Sequence, residues 1–134
     1  MTRYVVDAPT LVHIVSVGLQ VQPGHQLVAP NAVRAEALQL LYERVRRGEL
    51  AEDEALQLHE RLTEVKMRLL CDRVPRRTAW HIAHDHEWDA IRDAEYLAVA
   101  KLQADALVTV DESLARGAEG IVPLASLDAL TTIP

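Results

Sequence analysis

The sequence predicts an α/β fold, a single domain (residues 1–134) with a mostly parallel central sheet flanked by helices in three layers. Short apolar runs of strand length alternate with longer segments of helical periodicity, which is the pattern of a parallel sheet covered on both faces. A chain of 134 residues can form one core, and an apolar fraction of 49% argues against disorder. No internal repeat indicates a second unit.

Local patterns justify each element in turn. Pro9 suits the first turn of a helix, Asn31 is a good N-cap, and the third helical segment has acids at its start and bases at its end, which suits the helix dipole. Ala94, Leu97, Ala98 and Lys101 recur at helical spacing. The predicted strands are Arg3–Val6, Gln26–Ala29, Cys71–Val74, Ala106–Val110 and Ile121–Leu124. The predicted helices are Pro9–Leu19, Asn31–Gly48, Glu52–Leu70, Thr78–Glu87, Asp89–Gln103 and Ser113–Ala118.

The composition excludes several classes of protein. No window of about 20 apolar residues exists, so we expect no membrane span. The N-terminus lacks the pattern of a secretory signal. Cys71 is the one cysteine and cannot form an internal disulfide, which predicts a cytoplasmic protein. Aromatic residues are 4% of the chain, which argues against a platform of rings for stacked bases.

The net charge of −6 is unevenly distributed. Residues 34–77 contain ten basic and nine acidic side chains, whereas the rest of the chain is strongly acidic. A polyanion could therefore approach the middle of the chain while a metal ion holds the acidic part. Solvated faces of charged helices are the alternative explanation for any single arginine.

Four acids are the candidate functional residues. Asp7 and Asp111 follow predicted strands, and ligands of parallel α/β folds lie beyond the carboxyl ends of the strands. Glu36 and Asp93 lie near the starts of predicted helices. Four converging carboxylates repel one another unless a cation neutralises them. An all-oxygen site suits Mg²⁺, with Mn²⁺ as the second choice, and either ion can activate water for attack on phosphorus.

Four segments carry a resemblance to a known family: YVVDA at Tyr4–Ala8, the Pro30–Glu36 segment, DAEYLAVA at Asp93–Ala100, and TVDESL at Thr109–Leu114. In this order and spacing the chain resembles the PIN-domain ribonucleases, specifically the VapC-type toxins of toxin–antitoxin pairs. The resemblance implies a PIN-like fold with a central first strand and a Mg²⁺-dependent endoribonuclease that cleaves tRNA or rRNA. It also implies a homodimer, a cognate antitoxin, and Asp7, Glu36, Asp93 and Asp111 as the metal ligands.

The chain departs from the family pattern at one position. Many relatives have Ser or Thr two residues after the first acid, where this chain has Pro9, followed by Thr10. We therefore predict that Thr10 and Thr109 support the metal site indirectly. Asp89 is a weaker candidate for such a role, as an i, i+4 neighbour of Asp93 on one helix face.

Arg76 and Arg77 are weaker candidates for RNA contacts, because arginine binds phosphate in a bidentate manner. Three histidines, His81, His84 and His86, invite a zinc hypothesis, but a surface helix explains them better. Trp80 and Trp88 are predicted to anchor a helix or a dimer.

Structural roles compete with the catalytic ones. Asp7 and Asp111 could be helix N-caps, and Glu36 and Asp93 could be exposed helix residues. Two alternative functions also remain: a catalytically silent PIN-like module that binds RNA or protein, and another small α/β Mg²⁺-dependent phosphohydrolase. A phosphatase of the haloacid-dehalogenase type needs an acid where Pro9 stands.

Overall fold

The computed structural model describes residues 1–70 and 73–133, with only the backbone described at 73 and 74. Strands and helices alternate along the chain, as the sequence predicts. The strands are β1 Thr2–Val6, β2 His25–Pro30, β3 Met67–Leu70, β4 Ala106–Val108 and β5 Leu124–Ala125. The helices are α1 Ala8–Val17, α2 Val33–Arg46, α3 Glu52–Glu64, α4 Arg73–Asp85, α5 Arg92–Gln103, α6 Glu112–Ala118 and α7 Leu127–Thr131.

The five strands form one all-parallel sheet in the order β3-β2-β1-β4-β5, which confirms the predicted α/β fold with the first strand at its centre. Successive residues of a strand point to opposite faces of the sheet. Val5, Val28 and Leu107 accordingly lie in one apolar core, and Tyr4 and Val108 in a second. Helices cover both faces of the sheet. A ligand would therefore bind beyond the ends of the strands, and in parallel α/β folds this is the carboxyl end.

The region between α2 and α5 differs most from the prediction. The predicted helix over Glu52–Leu70 is wrong in its last part, because α3 ends at Glu64 and Met67–Leu70 forms β3. This segment pairs with β2 in parallel register, and the pairing outweighs its helical propensity. The strand predicted at Cys71–Val74 is wrong at its end, where α4 begins at Arg73, and its first two residues lie outside the described chain.

Several element ends also differ from the prediction. Thr78 lies inside α4 rather than at its start, because Pro75 is tolerated in the first turn of a helix. Asn31 is not the N-cap of α2: Ala32 occupies that position, and the Asn31 backbone N–H donates to Leu70 O instead. The helix predicted from Asp89 begins only at Arg92.

The remaining predicted boundaries are closer to the structure. Helix α1 ends at Val17, since Gly18 takes a left-handed C-cap conformation with φ of 68°. Strand β4 ends at Val108 rather than Val110. The last strand is Leu124–Ala125 rather than Ile121–Leu124, and α7 was not predicted. Helix α7 packs Leu130 against the second core.

Candidate active site

A cleft of about 470 Å³ opens at the carboxyl edge of the sheet, and all four predicted acids line it: Asp7, Glu36, Asp93 and Asp111. Asp7 directly follows the central strand β1, and Asp111 is the N-cap of α6 after β4. Glu36 and Asp93 lie in the first turns of α2 and α5. The structure thus brings together acids that are far apart in the sequence, at the edge where the sequence placed them.

Asp7 is the most deeply buried of these acids, with 3% of its surface exposed. It occupies the N-cap position of α1, but its side chain makes no capping hydrogen bond. Its carboxylate instead accepts hydrogen bonds from the hydroxyls of Thr10, at Oδ1, and Thr109, at Oδ2 over 2.9 Å. Burial raises the pKa of Asp7, and the two hydroxyl donors oppose that rise only in part.

Thr10 and Thr109 also join the two strand ends that carry Asp7 and Asp111. The Thr10 hydroxyl accepts a hydrogen bond of 3.0 Å from the Val110 backbone N–H, and the Thr109 hydroxyl accepts one of 3.0 Å from the Asp111 N–H. Each hydroxyl therefore donates to Asp7 and accepts from the chain after β4. Both threonines thus contact Asp7, and their support of a metal site stays a prediction.

Glu36 is held by a tyrosine and approached by an arginine. The Tyr96 hydroxyl donates to Glu36 Oε2 over 2.8 Å, and Arg92 Nε lies 4.0 Å from Glu36 Oε1. Burial raises the pKa of Glu36, Tyr96 and Arg92 lower it, and the charges of Glu95 and Asp7 raise it. Burial and the neighbouring Glu36 raise the pKa of Tyr96, so this hydroxyl stays a hydrogen-bond donor.

Asp93 and Asp111 form the outer wall of the cleft. Asp111 Oδ1 accepts from the backbone N–H groups of Ser113 and Leu114 at 2.9 and 3.4 Å, so the predicted N-cap is present. Both bonds use Oδ1, so Oδ2 of Asp111 can bind a cation while the residue caps the helix. Although Asp93 is exposed, the cleft walls remove part of the solvation of its carboxyl. This desolvation raises the pKa of Asp93, as does the charge of Asp111.

The donor set of the cleft fits a hard divalent cation, but the side chains are not arranged around one. Mg²⁺ and Mn²⁺ prefer carboxylate oxygens, and a nearly buried carboxylate is costly without a cation. Across residues 1–70 and 73–133, no group of three or more His, Cys, Asp or Glu side chains is placed to hold a metal ion. The cleft therefore contains suitable ligands for a divalent cation, but three or more of them are not placed to bind one ion together.

Other predicted residues lie outside the cleft. Asp89 precedes α5, so the predicted i, i+4 pairing with Asp93 on one helix is wrong, and Asp89 lines an adjoining groove instead. Arg76 lines a neighbouring pocket with Asn31 and Glu95, and Arg77 is exposed on α4. His81 and His84 are exposed on the same helix, whereas His86 follows it and places Nδ1 2.9 Å from Ile82 O.

Sequence reasoning missed Tyr96 and Arg92, both of which line the cleft. Tyr96 lies three residues after Asp93, which places the two on neighbouring positions of one helix face. Arg92 directly precedes Asp93, and its position at the start of α5 was hidden by the wrong helix boundary. Tyr96 lay inside the predicted helix, but its partner Glu36 lies on another helix.

The fold and the cleft define a class: a parallel α/β domain with an acidic site at the carboxyl edge of its central strands. Residues 8–120 match the family model of the PIN domain, so the chain belongs to the PIN-domain family, whose members are generally nucleases. No curated protein matches the chain significantly.

Two solved structures share the fold. The crystal structure of PAE2754 from Pyrobaculum aerophilum has a TM-score of 0.74 at 20% identity and covers 96% of this chain and 93% of that one. The structure of VapBC-1 from nontypeable Haemophilus influenzae has a TM-score of 0.60 at 15% identity and covers 92% and 97%. The family assignment confirms the PIN-domain resemblance that the four sequence segments carry.

Proposed function

We propose that this protein is a divalent-metal-dependent endoribonuclease and the toxin of a type II toxin–antitoxin pair, similar to the VapC-type toxins. The observation that supports the proposal most strongly is Asp7, a nearly buried carboxylate that shares one cleft with three further acids. A folded protein tolerates such an accumulation of charge mainly where it has a use, which is commonly a metal or a catalytic site.

The four acids would hold one or two ions of Mg²⁺ or Mn²⁺. Asp7 is fixed by two threonine hydroxyls and Asp111 by its N-cap bonds. The partly exposed Glu36 and the exposed Asp93 would then be the side chains that turn toward the ion. A bound cation supplies activated water for attack on phosphorus and offsets charge on the phosphate.

The surrounding residues position these acids. The hydroxyls of Thr10 and Thr109 orient the Asp7 carboxylate. Tyr96 favours the ionised form of Glu36 by donating to Oε2. No covalent enzyme intermediate is needed, since water is the nucleophile and the protein contributes carboxylates and hydroxyl donors.

The proposed partners are an RNA substrate, for which we favour tRNA or rRNA, a cognate antitoxin, and a second copy of the chain in a homodimer. Leu38 and Tyr42 on α2 are 44% and 58% exposed, one turn apart on the helix that contributes Glu36. Exposed apolar side chains beside the cleft suit a protein partner that covers it. No helix in the described parts of the chain is long and apolar enough to cross a bilayer. We propose that the protein acts in the cytoplasm, where its RNA substrate is.

The proposal is tested by RNA cleavage with and without the cation. Purified protein should cleave single-stranded RNA in Mg²⁺ or Mn²⁺, lose the activity in chelator, and regain it when the ion is restored. Asp93→Asn should abolish cleavage, whereas Asp105→Asn should cleave normally, because Asp105 lies at the opposite end of the sheet and binds the Arg3 N–H. In cells, only the wild type and Asp105→Asn should arrest growth and create new RNA 5′ ends.

A catalytically silent module that binds RNA or protein is the second candidate. The absence of a ready-made metal cluster in the described residues favours it. Such a module would bind RNA with the same affinity in chelator and in Mg²⁺ and would cleave it in neither. Cleavage by Asp93→Asn at the wild-type rate would show that the acids are not the active site.

A further inference from the structure

A second groove of about 690 Å³ continues from the acidic cleft. The two share Arg92 and Asp93, in the first turn of α5, as lining residues. Beyond this junction the groove is lined by Trp88 and Asp89 and by Ser113 and Gly117 of α6. A chain that passes through the cleft can therefore extend into the groove directly past Arg92.

Among the described residues that line either cavity, Arg92 is the only lysine or arginine, against seven carboxylates. Its side chain is 73% exposed, and its separation of 4.0 Å from Glu36 is long for an ion pair. An exposed pair at this separation is weak. The guanidinium is therefore free to leave Glu36 for a stronger partner, and phosphate is the partner that its geometry fits best.

Trp88 gives the groove a rigid aromatic wall. The ring packs closely on α6, since a Cβ at Gly117 would lie 3.3 Å from Trp88 Cζ2. The chain has too few rings for a platform of successive bases, but one ring face is enough for a single base. Asp89, adjacent to Trp88, is exposed and can accept hydrogen bonds from the amino group of a base.

We propose that the groove is a nucleotide subsite: Arg92 binds the phosphate adjacent to the scissile one, and the part of the groove beside Trp88 receives an unpaired base. The carboxylate of Asp89 favours a base with an exocyclic amino group, such as cytosine, adenine or guanine, over uracil. This proposal rests on the proposed ribonuclease function and names the part of the substrate that lies beside its cut.

A purely structural role for Arg92 makes a different prediction for RNA binding. If Arg92 only neutralised the acids, its loss would leave RNA affinity unchanged. If it binds phosphate, Arg92→Gln should weaken RNA binding about tenfold and lower the salt dependence of log Kd by about one unit. Affinity for Mn²⁺ should stay the same or increase, because a positive charge beside the cation has been removed.

The experiment measures binding of a short fluorescent single-stranded RNA and, separately, of Mn²⁺ by calorimetry. The variants are Arg92→Gln, Arg92→Lys and, as a matched control, Arg46→Gln, which removes an exposed arginine at the end of α2. We expect Arg92→Gln to lose RNA affinity, Arg92→Lys to recover part of it, and the control to match the wild type. Equal RNA affinity and salt dependence in Arg92→Gln and the wild type would overturn the role of Arg92.

The base preference is tested with RNAs that differ only in the nucleotide beside the cut. The wild type should cleave an RNA with cytosine or a purine there about tenfold faster than one with uracil, and Asp89→Asn should reduce this ratio. Asp85→Asn, an exposed acid at the end of α4, is the control. Equal rates on all four RNAs would overturn the base subsite. Failure of the wild type to cleave any RNA would instead refute the proposed function.

Discussion

The two ends of the sheet carry cavities of very different charge. At the amino edge, a cavity of about 660 Å³ contains Arg61 and Lys66 beside Glu64. The C-terminal segment closes that edge, with His25 Nε2 2.7 Å from Thr132 O. At the carboxyl edge, the smaller cleft contains five carboxylates and one arginine. Charge therefore distinguishes the two ends of the sheet more clearly than cavity size does.

The largest expected effect is the loss of activity in Asp7→Asn. Because this residue is nearly buried and central to the cleft, the amide should reduce RNA cleavage by about a thousandfold or more. The metal-free variant should also be more stable than the wild type, since a buried charge is removed. Cleavage rates and thermal unfolding measure the two effects.

Asp105→Asn is the matched control, because it makes the same change at the amino edge, where Asp105 Oδ2 accepts from the Arg3 N–H. Its activity should equal that of the wild type. If both variants lost activity equally, the contrast between the two edges would be wrong.

Tyr96→Phe should have the next largest effect. Removal of the hydroxyl takes away the hydrogen bond to Glu36 and raises the pKa of that carboxyl further. We expect kcat/KM to fall about tenfold, which corresponds to one charge-assisted hydrogen bond. The acid limb of the pH–rate profile should move to higher pH.

Tyr42→Phe, on the exposed face of α2, serves as the control and should leave the profile unchanged. An unshifted acid limb in Tyr96→Phe would show that Glu36 does not need to be ionised for the reaction.

Thr109→Val tests the coupling of the two strand ends. The change removes the donor to Asp7 and leaves the Asp111 N–H without its partner, which should cost about 1–3 kcal/mol of unfolding free energy. Thr63→Val, at the surface of α3, should cost less than about 0.5 kcal/mol. Denaturant unfolding compares them, and equal losses in the two variants would refute the coupling.

The stability of the metal-free protein should depend on pH, because three acids of the cleft have raised pKa values. For Asp7, Glu36 and Asp93 the folded-state pKa lies above the ordinary value of 3.8 for the aspartates and 4.5 for the glutamate. Each group thus destabilises the metal-free fold when ionised. This loss of stability is absent below the ordinary pKa of the group. It grows as the pH rises from that value through the raised pKa of the folded state.

The contribution of Asp7 is the difference between the stability curves of the wild type and Asp7→Asn. This difference should widen in favour of the variant from about pH 4 toward neutral pH, and Mn²⁺ should reverse it at neutral pH. Curves that stay parallel over the whole range would show that Asp7 titrates normally.

The sequence predicted the sheet and its acids because both depend on local patterns. Asp7 and Asp111 follow apolar strands, and their convergence is a consequence of parallel topology. The sequence did not predict that Met67–Leu70 would form a strand, since that outcome depends on pairing with β2 rather than on local propensity. Arg92 and Tyr96 were missed for a related reason, because their partner Glu36 lies on another helix.

Calorimetric titration of the purified protein with Mn²⁺ at neutral pH tests the central claim most directly. The account predicts saturable binding to the wild type and to Asp105→Asn, with at least about a tenfold loss of affinity in Asp7→Asn and Asp93→Asn. Equal Mn²⁺ affinity in all four proteins, or no saturable binding to the wild type, would contradict it.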